Sequence, residues 1–329
     1  MALDAPVRKL DRFQQKHQPT AFLFAVVKKF GDDRGGALAA LLTYYGFLSL
    51  FPMLLVLFTV ISYVLPDYPS AQRSVEQSVL AQFPVIGDQL RTIAQHPLHG
   101  SIVALVVGIG ALLWGVLGAT QTLQFAMQEV WSVPGKDRPN FWVRLTRSLL
   151  LFAVVGLGIA ATTTVSGLGT VLAWGPFGSL LAALPSAVVN IGLFLLLFRL
   201  LTPHEVATYD LLPGVLVAGI GWQVLQTIGV NLVGHQLRHS SQVYGVFAFT
   251  LALLSFLSLA SQLTLYAAEV NVVRARRLWP RSLIQPPLTQ SDMSVLRNLA
   301  GREVRRPEEH VSVAFVPTDD PQSGTSGDD

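Results

Sequence analysis

The sequence predicts an all-α membrane protein: a polytopic bundle of six transmembrane helices with both termini in the cytoplasm. Only 13% of the 329 residues are charged, whereas soluble domains usually carry about 25%. The charges are also segregated. Five stretches contain no Asp, Glu, Lys or Arg, and each exceeds the roughly 20 apolar residues that a helix needs to cross a bilayer. Lys and Arg gather in alternate connections between these stretches, a distribution that sets orientation in membranes.

The uncharged stretches place the six helices in order. They cover residues 35–66, 92–128, 148–198, 211–237 and 239–268. The third stretch holds two helices, because Trp174-Gly175-Pro176 is a turn signal between two apolar runs. Pro213-Gly214 opens the fifth helix. The predicted helices run over about 37–65, 101–126, 148–172, 177–200, 211–233 and 244–272.

The basic residues predict the orientation of these helices. With six spans, both termini and the second and fourth loops share one side of the membrane, and that side holds 20 of the 23 Lys and Arg residues. Basic residues accumulate in cytoplasmic segments, so this side is assigned to the cytoplasm. The first 20 residues are polar, and a cleavable signal peptide is therefore not expected.

Three regions follow from this arrangement: a cytoplasmic N-terminal segment (1–35), a six-helix transmembrane domain (36–273) and a C-terminal segment (274–329). Apolar spacing within residues 20–31 predicts a short interfacial helix before the first span. The first loop, 66–99, has the pattern of two short amphipathic helices on the outer surface.

Two features are expected of the C-terminal segment. A juxtamembrane cluster of arginines is suited to binding anionic lipid headgroups, although it could equally act only as a topological stop. Its members are Arg274, Arg276, Arg277 and Arg281. From Gln285 onward the chain is rich in Pro, Ser, Gly, Thr and Asp, a composition typical of disorder.

Polar residues inside the first span indicate an interrupted helix. Tyr44, Tyr45, Ser49 and Pro52 lie within an otherwise apolar run. Proline removes a backbone donor and frees a carbonyl, so a kink or break is predicted near Ser49–Pro52. A proline that serves only as a packing kink is the alternative.

Polar residues also follow one face of the second and sixth spans. In the second span, Gln121 and Gln124 are three residues apart. The sixth span carries a polar stripe at steps of three and four: Ser255, Ser258, Gln262, Tyr266 and Glu269. Such a stripe either joins helices by hydrogen bonds or lines a wet cavity.

Glu269 is the only acidic residue inside a predicted span. It lies near the cytoplasmic end, so Arg144, Arg147 or Arg199 is expected to neutralise it. The two interpretations are a structural ion pair and a proton or ion relay.

No catalytic or metal-binding constellation can be identified, so no enzymatic activity, metal or cofactor is expected. The chain has no cysteine. The histidine pairs His96/His99 and His235/His239 have spacings that permit metal ligation, but they have no neighbouring acid. The basic residues follow membrane topology and lack interleaved aromatics, so nucleic acid is not an expected partner.

Three segments resemble the YihY/BrkB family of bacterial inner-membrane proteins, over about residues 20–280. They are FLSLFPMLLVL in the first span, LLPGVLVAGIGWQVLQ in the fifth, and VYGVFAF with LTLYAAEVNVV in the sixth. The motifs are Ser49-Leu50-Phe51-Pro52, Pro213-Gly214, Tyr244-Gly245 and Ala268-Glu269-Val270-Asn271. The resemblance implies six spans and an inner-membrane location. Members have carried ribonuclease and virulence labels, but ribonuclease activity is not expected here, because the chain lacks a nuclease constellation.

The function expected from these observations is transport or translocation of a lipid or another amphipathic molecule through a polar seam inside the membrane. The alternative is a membrane scaffold or envelope-assembly partner in which the same polar groups only join helices. Expected partners are membrane lipids, envelope proteins and further copies of the chain. The residues expected to line the cavity or path are Tyr44, Tyr45, Ser49, Pro52, Gln121, Gln124, Gln262, Tyr266, Glu269 and Asn271.

Overall fold

The described part of the chain folds into α-helices. A computed structural model describes residues 4–64, 102–172, 176–203, 205–236 and 245–315. The described residues form nine α-helices and no strand. The helices are α1 (Asp4–Lys16), α2 (Gln18–Asp32), α3 (Gly35–Val64), α4 (Ile102–Val130), α5 (Phe141–Leu172), α6 (Pro176–Leu201), α7 (Thr208–Gln236), α8 (Gly245–Arg276) and α9 (Gln290–Arg302). The predicted all-α class is therefore confirmed.

The six long helices, α3 to α8, correspond in order to the six predicted ones. Within the described residues, four of them contain stretches long and apolar enough to cross a membrane. These stretches are Ile109–Val130, Phe141–Gly158, Thr208–Gly229 and Thr250–Arg276. The described parts of α3 and α6 contain shorter apolar runs, Gly35–Leu50 and Ala187–Leu201.

Helices α3 to α8 form a closed ring. Each packs against the next, and α8 returns to pack against α3. Apolar side chains such as Trp114, Leu157 and Ile220 are exposed on the outside of the ring. Contiguous exposed apolar surface is rare on soluble monomers, and here it suits contact with lipid.

Among the described residues, a buried apolar cluster lies at one end of this ring, which we call the tail end because both flanking segments attach there. Helix α2 packs against α8 and α3. Buried residues from five segments of the chain meet at this end: Ala25, Trp131, Phe198, Leu211 and Val272.

Small residues allow α3 and α4 to approach closely. A methyl group added to Gly115 would lie 2.8 Å from the Ser49 Cα atom, and one added to Gly118 would lie 2.5 Å from the Tyr45 ring. Glycine is therefore required at both positions for this helix pair to keep its spacing.

Two expectations about continuity need correction. Helix α3 runs without a break through Ser49–Pro52, since neighbouring groups in a bundle can satisfy the backbone carbonyl that a proline leaves free; the other form of that expectation, a kink, stays a prediction. The segment after Gln285 is not disordered throughout, because residues Gln290–Arg302 form helix α9. The amphipathic helices predicted within 66–99 lie outside the described residues.

Helix α9 is stabilised by a capping box at its start. The Thr289 hydroxyl accepts a hydrogen bond from the backbone N–H of Asp292, and the Asp292 carboxylate accepts one from the Thr289 N–H. Two otherwise unpaired backbone donors are satisfied in this way. The sequence signal Thr289-x-x-Asp292 was present within a segment whose composition suggested disorder.

Candidate functional site

Two neighbouring features at the tail end form the candidate site: a buried cluster of charges and a cavity. The cluster begins with helix α2. Ala21, Ala25, Val26 and Lys29 are its buried residues, and steps of three and four place them on one helical face. Because this face packs against the ring, Lys29 is only 1% exposed.

Lys29 lies among three oxygen-bearing groups. Its Nζ atom forms an ion pair with Asp33, donates a hydrogen bond to the Val130 carbonyl oxygen at 3.2 Å, and lies 3.7 Å from the Glu269 carboxylate. The lysine thus joins α2 to the ends of α4 and α8. Glu269 and Asp33 are both fully buried, so a cation between them offsets part of the cost of removing them from water.

The partner expected for Glu269 was an arginine, and that expectation is wrong. Arg199 instead donates a hydrogen bond to the Val206 carbonyl oxygen at 2.9 Å, and Arg147 lines the neighbouring cavity. Neither carboxylate oxygen of Glu269 has a hydrogen-bond donor among the described residues, so its contact with Lys29 is electrostatic.

Helix α9 completes the charge cluster. Arg302 contacts Asp33 at 3.3 Å and Glu129 at 2.9 Å, and Arg138 contacts Glu129 at 2.6 Å. Burial raises the pKa of the Asp33 carboxyl, against the opposing effect of Lys29 and Arg302. We call Lys29, Asp33, Glu129, Arg138, Glu269 and Arg302 the charge cluster.

A second polar contact joins α7 and α8 beside the cluster. The Asn271 side-chain oxygen accepts a hydrogen bond from the Gly214 N–H at 2.7 Å. A methyl group at position 214 would collide with the Ala267 carbonyl oxygen. Two of the sequence motifs, Pro213-Gly214 and the segment ending in Asn271, therefore meet at a close helix–helix contact.

A cavity of ≈ 550 Å³ opens next to the cluster, between the tail-end termini of α4 to α8; we call it the tail cavity. Gln124 and Gln128 of α4, Arg147 of α5 and Arg276 of α8 line it, and Asp210 of α7 adds an acid. A volume of this size is typical of small-molecule sites.

Gln124 is the predicted path residue that the structure places at this cavity. Its amide nitrogen donates hydrogen bonds to the Ser148 hydroxyl at 2.9 Å and to the Arg144 carbonyl oxygen at 3.1 Å. Its amide oxygen is buried without a partner among the described residues. The side chain thus joins α4 to α5 and leaves one buried acceptor unpaired within the described residues.

The other predicted path residues occupy different surroundings. Tyr266 stacks on Phe30 of α2, with ring centroids 4.0 Å apart. The Gln262 amide donates to the Ser258 hydroxyl at 3.1 Å, and the Ser49 hydroxyl donates to the Gly46 carbonyl oxygen at 3.0 Å. The polar stripe of α8 runs from exposed Ser255 through half-buried Ser258, Gln262 and Tyr266 to buried Glu269. Tyr44 is exposed and packs edge-on against Tyr45, and Gln121 is half-buried.

The four arginines at and after the end of α8 lie in different surroundings. Arg281 is 2% exposed and contacts Asp32 at 2.6 Å and Asp292 at 2.9 Å, so the headgroup prediction is wrong for this residue. Arg276 donates to the Trp131 carbonyl oxygen at 2.6 Å. Arg274 and Arg277 remain exposed.

Asp292 is the centre of the contact between α9 and the N-terminal helices. It accepts hydrogen bonds from the Ser282 N–H and hydroxyl, from Thr289 and from Lys28. Burial acts to raise the pKa of Asp292, but these hydrogen bonds outweigh it and hold the pKa well below its usual range.

Sequence reasoning missed Asp33, Arg302 and Asp292. The i, i+4 spacing of Lys29 and Asp33 was a local signal for an ion pair. The contacts of Arg302 with Asp33 and Glu129 could not be found in this way, because they join residues far apart in the chain.

Similarity to known proteins extends over most of the chain. A family model described as Virulence factor BrkB matches residues 26–289, a range that includes all six long helices. Inner membrane protein YhjD of Escherichia coli K12 is 24% identical, covering 77% of this chain and 81% of its own length. UPF0761 membrane protein PBPRA3489 of Photobacterium profundum is 26% identical, covering 90% and 93%. No solved structure matches the chain.

Proposed function

This chain belongs to the virulence factor BrkB family and is an integral protein of the inner membrane, and from that premise we propose that it moves an amphipathic molecule, such as a lipid, across the bilayer. The protein acts as a carrier or pathway and performs no catalytic step. The observation that supports this function is the tail cavity of ≈ 550 Å³ at the ends of five ring helices.

The lining of the tail cavity suits an amphipathic molecule. Trp131, Val133 and Leu201 supply apolar surface, while Arg147 and Asp210 supply opposite charges. Polar and apolar residues are about equally frequent in the lining, so both ends of an amphipathic ligand would find a partner. An uncharged tail would contact the apolar wall, and a polar headgroup would contact the charged side chains.

We place all six long helices across the membrane, with the tail end in the cytoplasm. This orientation rests on the 20 of 23 basic residues assigned to that side. Exposed aromatic residues support the depth at which we place the helices in the membrane: Phe141 and Trp142 lie at the start of α5, and Tyr209 lies at the start of α7. Aromatic side chains of this kind concentrate at membrane–water interfaces. The tail cavity would then open at the level of the cytoplasmic headgroups.

In this proposal, the path through the membrane continues from Gln124 of α4 along the polar stripe of α8. Ser258 and Gln262 are half-buried, so a passing headgroup would find polar partners without displacing a closed hydrogen-bond network. Polar side chains at membrane depth commonly mark such paths.

The proposal is tested with the full chain reconstituted in liposomes that contain fluorescent NBD-labelled phosphatidylethanolamine. Dithionite added outside bleaches labelled lipid in the outer leaflet, and the remaining decay reports movement between leaflets. We expect faster decay than in protein-free liposomes. Arg147→Gln should slow it about tenfold, equivalent to ~1.4 kcal/mol of barrier, because the variant removes a headgroup contact.

Arg306→Gln provides the matched control, because Arg306 is exposed in the C-terminal segment and away from the cavity. It should leave the rate unchanged. Wild-type liposomes that bleach no faster than protein-free ones would contradict lipid transport. Equal rates for wild type and Arg147→Gln would remove the proposed role of the tail cavity.

The charge cluster favours a second function, a membrane scaffold whose partners are envelope proteins or further copies of the chain. Lys29 already pairs with Asp33 and lies 3.7 Å from Glu269, an arrangement that suits a purely structural role. A scaffold would show no lipid movement in liposomes, and cross-linking in cells would capture defined envelope partners.

A further inference from the structure

The N-terminal helix α1 carries an exposed amphipathic surface that the transport function does not use. Leu10 is 58% exposed and Phe13 is 56% exposed. Four basic side chains of the same helix are also exposed: Arg8, Lys9, Arg12 and Lys16. Large exposed apolar side chains beside a basic stripe are typical of helices that lie in a membrane interface.

The opposite face of α1 fixes the helix to the tail end. The Gln14 amide donates a hydrogen bond to the Arg281 carbonyl oxygen at 2.6 Å, and the Leu283 N–H donates to the Asp11 carboxylate at 2.9 Å. Gln14 is buried. These contacts hold α1 against the segment that directly follows the last ring helix, and therefore close to the membrane surface.

Helical geometry separates the exposed groups into adjacent strips. At 100° per residue, Leu10 and Phe13 lie about 60° apart, and Lys9 and Lys16 lie about 20° apart on the side next to Phe13. Asp11 points toward the anchored face, where it accepts its hydrogen bonds. Around the helix, the anchored face is followed by the apolar strip, and the apolar strip is followed by the basic strip.

The neighbouring helix α2 extends the apolar strip. Leu23 and Val27, one turn apart, are 65% and 51% exposed, whereas the opposite face of α2 is packed against the ring. Helix α2, which contacts α1, therefore adds a second exposed apolar strip next to it in the chain.

We propose that α1 and the exposed edge of α2 form a binding surface for the anionic lipids of the adjacent leaflet. Leu10 and Phe13 insert among the headgroups, and Lys9 and Lys16 pair with lipid phosphates while their stems lie along the apolar boundary. Charge complementarity selects this occupant, because the exposed face of α1 is basic and an anionic membrane surface attracts basic side chains.

The test is hydrogen exchange of the full chain in nanodiscs, followed by mass spectrometry of peptides from residues 4–16. One set contains phosphatidylcholine only, and the other contains phosphatidylcholine with phosphatidylglycerol. We expect exchange in α1 to be about fivefold slower in the anionic discs, in keeping with the attraction of basic side chains to an anionic surface. Peptides of α8 should exchange equally in both sets and report intact folding.

Two double variants separate the contribution of the basic side chains from that of the apolar side chains. Lys9→Glu with Lys16→Glu should abolish the difference between the two lipid sets, and Leu10→Ser with Phe13→Ser should speed exchange in both. Arg305→Glu with Arg306→Glu changes the charge equally at exposed tail positions and should preserve the difference.

Equal exchange of α1 in both lipid sets for the wild-type chain would overturn the proposal. Protection that appears only when each disc holds two copies of the protein, whatever the lipid, would also overturn it and would assign the surface to a second copy. The comparison of lipids uses the wild-type chain, so its outcome does not depend on the folding of any variant or on transport activity.

Discussion

Lys29 shows how one side chain can hold several segments together at the tail end. It contacts Asp33 at the end of α2, Val130 at the end of α4 and Glu269 in α8. Its position could be predicted as helical, but its burial could not. That burial depends on the packing of α2 against α8, which no local pattern in α2 specifies.

Removing the Lys29 charge should destabilise the folded protein strongly. In Lys29→Met, Asp33 and Glu269 would remain buried without this cation, and breaking a buried pair costs about 3–5 kcal/mol. We expect a clear fall in the Tm of the purified protein in detergent. Lys136→Met, at an exposed position, serves as the control.

Adding Glu269→Gln to Lys29→Met should recover part of that loss, because Glu269 is the buried carboxylate that loses its nearby cation, whereas Asp33 still contacts Arg302. A Tm for Lys29→Met equal to wild type would show that the lysine is not needed to balance the cluster.

Gly214 provides a second prediction at the residue scale. Gly214→Ala should destabilise the protein by about 1–3 kcal/mol, the usual cost of overpacking, because its methyl group would collide with the Ala267 carbonyl oxygen. Gly156→Ala is the matched control, since nothing lies within 4 Å of the added methyl group and alanine favours helix. Thermal unfolding should therefore rank Gly156→Ala at or above wild type, with Gly214→Ala below both. The reverse order would contradict the close contact of α7 and α8.

At the scale of the elements, long apolar runs made the ring helices predictable. Each is a continuous signal along the chain, and the observed ends differ from the predicted ones where a helix extends beyond its uncharged stretch, as α5 does by starting at Phe141. Helix α9 was not predicted, because its composition is polar and its stability comes from Thr289 and from the contacts of Asp292 with Lys28 and of Arg302 with Asp33.

The docking of α9 should weaken in acid. The pKa of Asp292 is held below its usual value in the folded protein, so the unfolded state binds protons more readily. The stabilisation is fully present above the ordinary aspartate pKa of about 4 and is lost as the pH falls below it. Hydrogen exchange of residues 278–302 should therefore accelerate as the pH is lowered from 6 toward 3, after correction for intrinsic rates.

Asp292→Asn should accelerate exchange already at neutral pH and reduce its dependence on acid, because the variant cannot ionise. Glu308→Gln, an exposed residue beyond α9, should behave as wild type. An unchanged pH profile in Asp292→Asn would assign the acid sensitivity to other groups.

At the scale of the whole molecule, the distribution of charge predicts that both ends share the cytoplasm. Fluorescent-protein fusions should be bright at either terminus, because this reporter folds in the cytoplasm. Alkaline phosphatase inserted between α7 and α8 should be active, because that enzyme needs the outer compartment. Opposite compartments for the two termini would contradict the six-span topology.

The closed ring and the charge cluster differ in how far the sequence could predict them. Six long apolar stretches made a helical bundle the expected solution. The sequence predicted both Gln124 and Tyr266 as cavity-lining residues, but it could not separate them: Gln124 borders the tail cavity while Tyr266 stacks on Phe30, because those environments depend on the rotation of each helix within the ring.

The contact between Arg302 and Asp33 imposes an order of events during synthesis. These residues are separated by 269 positions, so at roughly 5–20 residues per second the ribosome needs on the order of ten seconds or more to deliver the arginine after the aspartate. Every chain that stops short of α9 leaves Asp33 and Glu129 without this counter-ion. The tail end that the first helices begin is therefore completed only after α9 has been synthesised.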